Sequence, residues 1–489
     1  MRELLTTHSL RQLELLEYLY DNEWLTLGNI CNTLNYSEKA IRTDIQNLNE
    51  HSEYLTIETS LKYGISLALP TNCSRTIIYS YILSESVEFN LLESIFFNEN
   101  FSINKLADHL FVSVSSLRRT IKKMNKLLLK YNFQISSSPF KLIGNEAAIR
   151  NFMIHFIFEK YSDSNYPFSK FQLSALEHIF YFVEKKATFS LNYPDIDKLK
   201  IWTMVAITRI KNGNSLSKKT TSQSVYFDEV LRNQLFTKTF ELIFKIKLDA
   251  DTLNQMFSIF LNERYAENSS QLKEIIQNNS KQKDLHDKFK LLLTNLSSDL
   301  TIEIPNFDHV LLHLFNENNM LYGDTHVLFN KHKHFIFSSY SQNKFFYNYF
   351  LSNYQKVFSN KAHSENHIYH LCYCVLIHWK HLSVCLEKKI EPVTIGLFFN
   401  SDEEHMFFIS DYIQDRFRGK CNLAIIDQRS ISDLKKHASN YDIILTNIDN
   451  IELNKASNTF LYCCELLPNL DDLSTIGKMI KVKRSERIK

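Results

Sequence analysis

Apolar residues in the first third of the chain recur at helical spacing in two stretches that superimpose. The segment LTLGNICNTLNYSEKAIRTDIQNLNE (Leu25 to Glu50) lies without gaps over FSINKLADHLFVSVSSLRRTIKKMNK (Phe101 to Lys126) at an offset of 76 residues. Apolar positions coincide at Leu27/Ile103, Ile30/Leu106, Leu34/Leu110, Ile41/Leu117, Ile45/Ile121 and Leu48/Met124, and Ser37/Ser113 and Arg42/Arg118 are identical. Self-similarity at a fixed offset marks a repeated structural unit. In each copy an i, i+3, i+7 stripe predicts one helix, and a second stripe, resuming after a short turn, predicts another. Ser37 and Ser113 stand where a hydroxyl can accept from a free N–H in the second helix's first turn. A preceding helix fits Leu10-Leu13-Leu15-Leu16-Tyr18 in one copy and Leu91-Leu92-Ile95-Phe96 in the other. Strand-like pairs follow each unit: Tyr54 to Glu58 with Tyr63 to Leu67, then Phe133 to Ile135 with Phe140 to Ile143. Three helices and a hairpin make a winged helix-turn-helix, here present twice. A generic helical bundle can show such stripes, but a gapless duplicate with matched caps and wings favours a DNA-binding module.

Charge separates the two copies. The 489-residue chain carries 56 Lys+Arg against 54 Asp+Glu, a net +2 that argues against a wholly basic nucleic-acid coat. From His109 to Asn145, however, there are seven basic residues and no acidic one: Arg118, Arg119, Lys122, Lys123, Lys126, Lys130 and Lys141. An acid-free basic helix in a helix-turn-helix predicts docking on phosphate, with residues near its start facing base edges. Ser115, Ser116, Arg119 and Lys122 are the candidates for base contact. Arg118, Lys123, Lys126 and Lys130 are the candidates for phosphate. The first copy offers Lys39, Arg42, Thr43 and Gln46, diluted by Glu38, Asp44 and Glu50.

Further along, stripes such as Phe171-Leu173-Leu176-Ile179-Phe180 predict a helical middle from Ser169 to Lys388, with loops at Asn212 to Ser215 and Asn316 to Tyr322. The end alternates: VTIGLFFN (Val393 to Asn400) reads as a buried strand, Glu403 to Phe417 as an amphipathic helix, and three further strand-like runs start at Asn422, Tyr441 and Thr459. The fold class expected is mainly α and multidomain, closed by a small α/β domain.

Several functions are excluded or disfavoured. The eight glycines never approach closer than 23 positions, so neither G-x-G-x-x-G nor G-x-x-x-x-G-K-[ST] exists. No nucleophile triad announces itself among the 18 histidines, and the chain is not expected to be an enzyme. Eight sparse, clustered cysteines suggest a reducing compartment, and no apolar leader or membrane-length run is present. A cytoplasmic protein without membrane contact is the expectation. His370, Cys374, His378, His381 and Cys385 share a face if they lie on one straight helix. At ~1.5 Å per residue only an i, i+4 pair among them could share an ion. No metal site and no cofactor are therefore expected.

SINKLADHLFVSVSSLRRTIKKMN and the following FKLIGNEAAIRNFMIHFIFEKY resemble the Mga family of bacterial virulence and carbohydrate-linked transcription regulators. The resemblance implies two winged helix-turn-helix domains at 1–72 and 73–162, and helical domains like the sugar-phosphotransferase regulatory domain (PRD) at 163–290 and 291–388. It also implies an EIIB-like α/β domain at 389–489. In the first regulatory domain Trp202 and Thr203 occupy the positions nearest the family's phosphorylated histidine. In the second, His309 and His313 are the candidates for phosphorylation. After the first strand of the EIIB-like domain stands Ser401-Asp402 in place of a phosphocysteine. The implied function is a homodimeric or higher oligomeric activator on promoter double-stranded DNA, linked to phosphotransferase-system proteins. An RNA-binding antiterminator of the same lineage, or a phosphoryl-accepting component, is the alternative.

Overall fold

Hydroxyl caps open the paired helices of both repeats. Thr26 Oγ1 accepts from Asn29 N at 3.2 Å and Ser37 Oγ from Ala40 N at 3.3 Å. At the same offset, Ser102 Oγ accepts from Lys105 N at 3.3 Å and Ser113 Oγ from Ser116 N at 3.1 Å. Each bond satisfies a donor that the helix start leaves unpaired. Between the paired helices the chain turns through a left-handed residue, Asn35 at φ 57° and Phe111 at φ 54°.

The structure is a computed structural model describing residues 1–161, 165–185, 193–216, 225–257, 266, 268–320, 325–338, 341–358, 364–428, 430–453 and 458–487. It is mainly α, with two compact units, one of residues 1–278 with 316–330 and one of 279–315 with 331–489.

In the first unit, the first winged module comprises α1 (Thr7–Asp21), α2 (Leu27–Leu34), α3 (Glu38–His51) and the antiparallel strands β1 (Thr56–Ser60) and β2 (Gly64–Ala68). A linking helix, α4 (Thr76–Glu85), precedes the second module: α5 (Val87–Phe97), α6 (Ile103–His109), α7 (Val114–Leu128), β3 (Phe133–Ser137) and β4 (Phe140–Gly144). The second wing follows α7 after a short 3-10 turn (Leu129–Tyr131) and leads through the Asn145 cap into α8 (Glu146–Lys160). Ile30, Ile41, Ile45 and Leu48 of the first copy and Leu106, Leu117, Ile121 and Met124 of the second are buried in one continuous core. Burial of these stripes removes apolar surface from water and fixes which helical faces remain outside. The unit continues with α9 (Lys170–Glu184), α10 (Tyr193–Lys211), α11 (Val225–Arg232), α12 (Gln234–Phe244), α13 (Ala250–Phe257) and α14 (Ser269–Asn278).

The second unit holds a helical bundle and the α/β end. Its helices are α15 (Ser280–Leu300), α16 (Phe307–Met320, of which residues up to 315 belong to this unit), α17 (Lys331–Ser338), α18 (Ser341–Val357), α19 (Glu365–His378) and α20 (Leu382–Lys389). The α/β part runs β5 (Val393–Phe398), α21 (Glu403–Arg416), β6 (Cys421–Ile425), α22 (Ile431–His437), β7 (Ile443–Thr446), β8 (Phe460–Cys463) and α23 (Leu470–Glu486). The four strands form a parallel sheet in the order β6-β5-β7-β8. Val393, Ile395 and Leu397 of β5 are fully buried, as expected of a central parallel strand covered by helices.

Two sequence expectations need correction. Asn316 to Met320 is helical rather than a loop, while 321 and 322 lie outside the described residues. The Asn316 carboxamide is satisfied by both backbone groups of Ala266, at 3.0 and 2.7 Å, so it does not compete with the helix. The stretch from His370 to Cys385 is not one straight helix. It ends at His378, turns through His381 at φ 62°, and restarts at Leu382.

Candidate nucleic-acid interface

The sequence of α7 splits by periodicity into two faces. Leu117, Ile121, Met124 and Leu128 point into the core. Ser115, Arg118, Arg119, Lys122, Lys123 and Lys126 are exposed on the other side, and Ser116 is half-buried beside its cap. At ~1.5 Å per residue the exposed stripe from Ser115 to Lys126 extends roughly 16 Å, a length suited to several phosphates along a groove. Among the described residues, the side chains of Arg118, Arg119, Lys122, Lys123 and Lys126 make no ion pair. A groove beside this stripe is lined by Phe101, Ser102, Arg118, Lys122, Ser138 and Pro139, among others, so the start of α6, the face of α7 and the tip of the second wing border one concavity.

The other two cations of the basic run are not part of this face. Lys130 Nζ pairs with Glu3 at 2.9 Å and holds that carboxyl below its ordinary range through the hydrogen bond. Lys141 Nζ pairs with Glu99 at 2.9 Å. Thus the run that contains no acid in sequence is partly neutralised in space.

The first copy differs in kind. Lys39, Arg42, Thr43 and Gln46 are exposed together on α3 and line one shallow surface concavity with Glu38. Arg42 is bridged to Glu38 at 2.8 Å, Thr43 Oγ1 donates to Lys39 O at 2.9 Å, and Gln46 Nε2 donates to Glu50 at 2.8 Å. Asp44, counted in the sequence as diluting this face, is fully buried and gripped by Arg11, with Nη2 at 3.0 Å and His8 Nε2 at 3.2 Å. It braces α3 against α1 and takes no part in the surface.

A matched pair of asparagines holds each wing and was missed by the apolar pattern. Asn49 Oδ1 accepts from Ile57 N at 2.7 Å while its Nδ2 donates to Ile57 O at 3.0 Å. Asn125 does the same for Ile135, at 2.8 Å in each direction. The signal was present, since both asparagines stand at the repeat offset, but it lies outside any hydrophobic period.

His309 and His313 lie on the first half of α16, and the structure brings them to His378 at the end of α19. Ring centroids are 4.3 Å apart for His309 and His313, 5.5 Å for His309 and His378, and 3.9 Å for His313 and His378. In the α/β part, Asn400 N donates to Asn447 Oδ1 at 2.7 Å just before Ser401-Asp402.

No helix among the described residues is long and apolar enough to cross a membrane. Residues 6–62 match the M protein trans-acting positive regulator (MGA) HTH domain, and residues 71–157 match the Mga helix-turn-helix domain. A protein of Streptococcus pneumoniae serotype 4, provisionally described as a trans-acting regulator, is 26% identical over 91% of this chain and 93% of its own length. The capsule synthesis positive regulator AcpA of Bacillus anthracis is 25% identical over 46% of this chain and 48% of its own. The anthrax toxin expression trans-acting positive regulator of the same organism is 24% identical over 42% and 44%. With both winged modules matched in sequence and formed in structure, the chain is similar over these residues to the Mga family of trans-acting positive regulators.

Proposed function

We propose that this chain is a DNA-binding transcriptional activator that sets the outer face of α7 into the major groove of promoter DNA. The observation that carries this reading is the line of five cations on α7, exposed on one helical face with no counter-charge among the described residues. Arg119 and Lys122 meet base edges, where a good bidentate arginine contact contributes about 1–3 kcal/mol. Arg118, Lys123 and Lys126 neutralise phosphates, while Ser115 and Ser116, at the helix start, join the base contacts. The first module supplies a weaker second contact through Lys39, Arg42, Thr43 and Gln46. Relatives named as positive regulators favour activation over repression.

In the finer reading, the protein acts as a homodimer across spaced half-sites in the cytoplasm. The helical and α/β parts set its activity in response to sugar-phosphotransfer proteins, with His309 or His313 as the phosphoryl acceptor. An RNA-binding role is disfavoured because the deep, narrow major groove of A-form RNA does not admit a recognition helix.

The test is duplex binding measured over a salt series, on a site located by genome-wide mapping. Lys123→Ala with Lys126→Ala should weaken binding and reduce the slope of log affinity against log salt by about 2, since each lost phosphate contact releases about one counterion fewer, whereas Arg119→Ala should relax sequence preference. Arg42→Ala should change the slope less, because Glu38 already neutralises it. An unchanged slope in the double variant, or an RNA hairpin that outcompetes duplex at equal salt, would overturn the reading.

A further inference from the structure

Three imidazoles from two helices converge in the second unit. His309 and His313, one turn apart on α16, share a helical face, and His378 is the last residue of α19. One nitrogen from each ring lies within 4.8 Å of the other two, and the His313 and His378 rings stack at an interplanar angle of 11°. The backbone around them is stitched from both sides. Asn306 Nδ2 donates to His378 O at 2.8 Å, and Asn306 Oδ1 accepts from Lys380 N at 3.2 Å. Trp379 Nε1, from a buried ring, donates to Glu303 O at 3.0 Å. The segment leading into α16 and the turn ending α19 are thereby fixed against each other, so the convergence is set by the fold.

We propose that His309, His313 and His378 form a binding site for a divalent transition-metal ion of the zinc class. Imidazole nitrogen suits Zn²⁺ and its neighbours, whereas Mg²⁺ and Ca²⁺ require oxygen donors that this set lacks. Zinc–nitrogen bonds of about 2.0–2.1 Å put tetrahedral ligand atoms about 3.3 Å apart. The ligand atoms stand within 4.8 Å of one another, so binding an ion requires the three rings to draw together. Three protein ligands leave a fourth position for water or a further ligand. An ion there cross-links positions far apart in sequence and stabilises the docking of α19 on α16. The site is independent of the DNA-binding reading. It bears on the phosphorylation reading, because a metal and a phosphoryl group compete for the same nitrogens.

The experiment uses the full chain, stripped with chelator and titrated with ZnCl₂ by calorimetry and with CoCl₂ by visible absorption. The expected result is one ion per chain, with the intense cobalt bands of a four-coordinate site. His309→Ala and His378→Ala should each weaken binding by at least about 30-fold, while His437→Ala, on α22, leaves it unchanged. Circular dichroism and thermal unfolding of the metal-free variants establish that they fold. Should His378→Ala fail to fold, His309→Ala, whose side chain is exposed, carries the test. Absence of saturable binding, or equal binding in His309→Ala and wild type, would overturn the proposal.

Discussion

A carboxylate that accepts two backbone N–H groups is ordinarily held ionised, yet at Glu159 burial prevails. Its oxygens accept from Leu328 N and Phe329 N, each at 2.7 Å, but desolvation pushes its pKa up to about 7. The folded protein therefore holds this proton more tightly than the unfolded chain does. The associated stabilisation is complete below the ordinary value of 4.5 and is lost as pH rises through about 7. Glu159→Gln should remove a pH-dependent component on the order of 3 kcal/mol from unfolding free energies measured in urea across that window. A variant with the wild-type slope would show that the group ionises alike in both states. Much at this scale was hidden from the sequence. Lys130 and Lys141 look uncompensated because their partners, Glu3 and Glu99, are remote in the chain. Asp44 reads as a surface acid but is a buried brace, because Arg11 meets it from another helix.

Among the elements, the two winged modules owe their likeness to the same bonds at the same places. Four hydroxyl caps start their paired helices, and one asparagine in each recognition helix pins the first strand of its wing. Asn125→Ala leaves the N–H and C=O of Ile135 without these partners and should cost about 1–3 kcal/mol of stability. It should also weaken duplex binding by loosening the second wing beside α7. Asn49→Ala should cost a similar amount of stability with a smaller loss of DNA affinity, given the paired charges on α3. Chemical denaturation and duplex titration of the two variants, side by side, check this asymmetry. The wing ends are equally specific: at Gly144, with φ +139°, an added Cβ would stand 2.5 Å from Asn132 O. Helices and wings were legible because burial imposes a period on apolar residues. The asparagine clamps were not, because one polar residue per module has no period.

At the scale of the molecule, Arg209 joins the helical middle to the second winged module. It is 1% exposed and donates from α10 to Glu99 at 3.2 Å, to Glu146 at 2.8 Å and to Leu142 O of β4 at 3.1 Å. Lys141, beside Leu142 on the wing, closes the cluster through Glu99. The wing, the start of α8 and α10 thus share one buried ion network. Arg209→Met leaves Glu146 paired with Arg150 and Glu99 paired with Lys141 but strips one buried cation and the donor to Leu142 O, and should cost about 1–3 kcal/mol. A loss confined to the range of an exposed substitution, within about 0.5 kcal/mol, would show that the cluster contributes little. The sequence puts Arg209 in the helical middle, but nothing in it says which carboxylates the arginine meets. Net charge is silent on this too, since +2 is the sum of an exposed basic helix and of ion clusters that cancel within the fold.

By itself the sequence determined the duplicated helix-turn-helix, the serine caps of its second helices, the basic outer face of α7, the helical middle and the alternating α/β end. Each of these rests on local spacing, which helical and strand periods write directly into the order of residues. Only the tertiary structure decided which charges remain uncancelled, where the long histidine-bearing helix breaks, and that His378 meets His309 and His313. Those outcomes depend on contacts between residues tens of positions apart, and chain order carries no period that marks them.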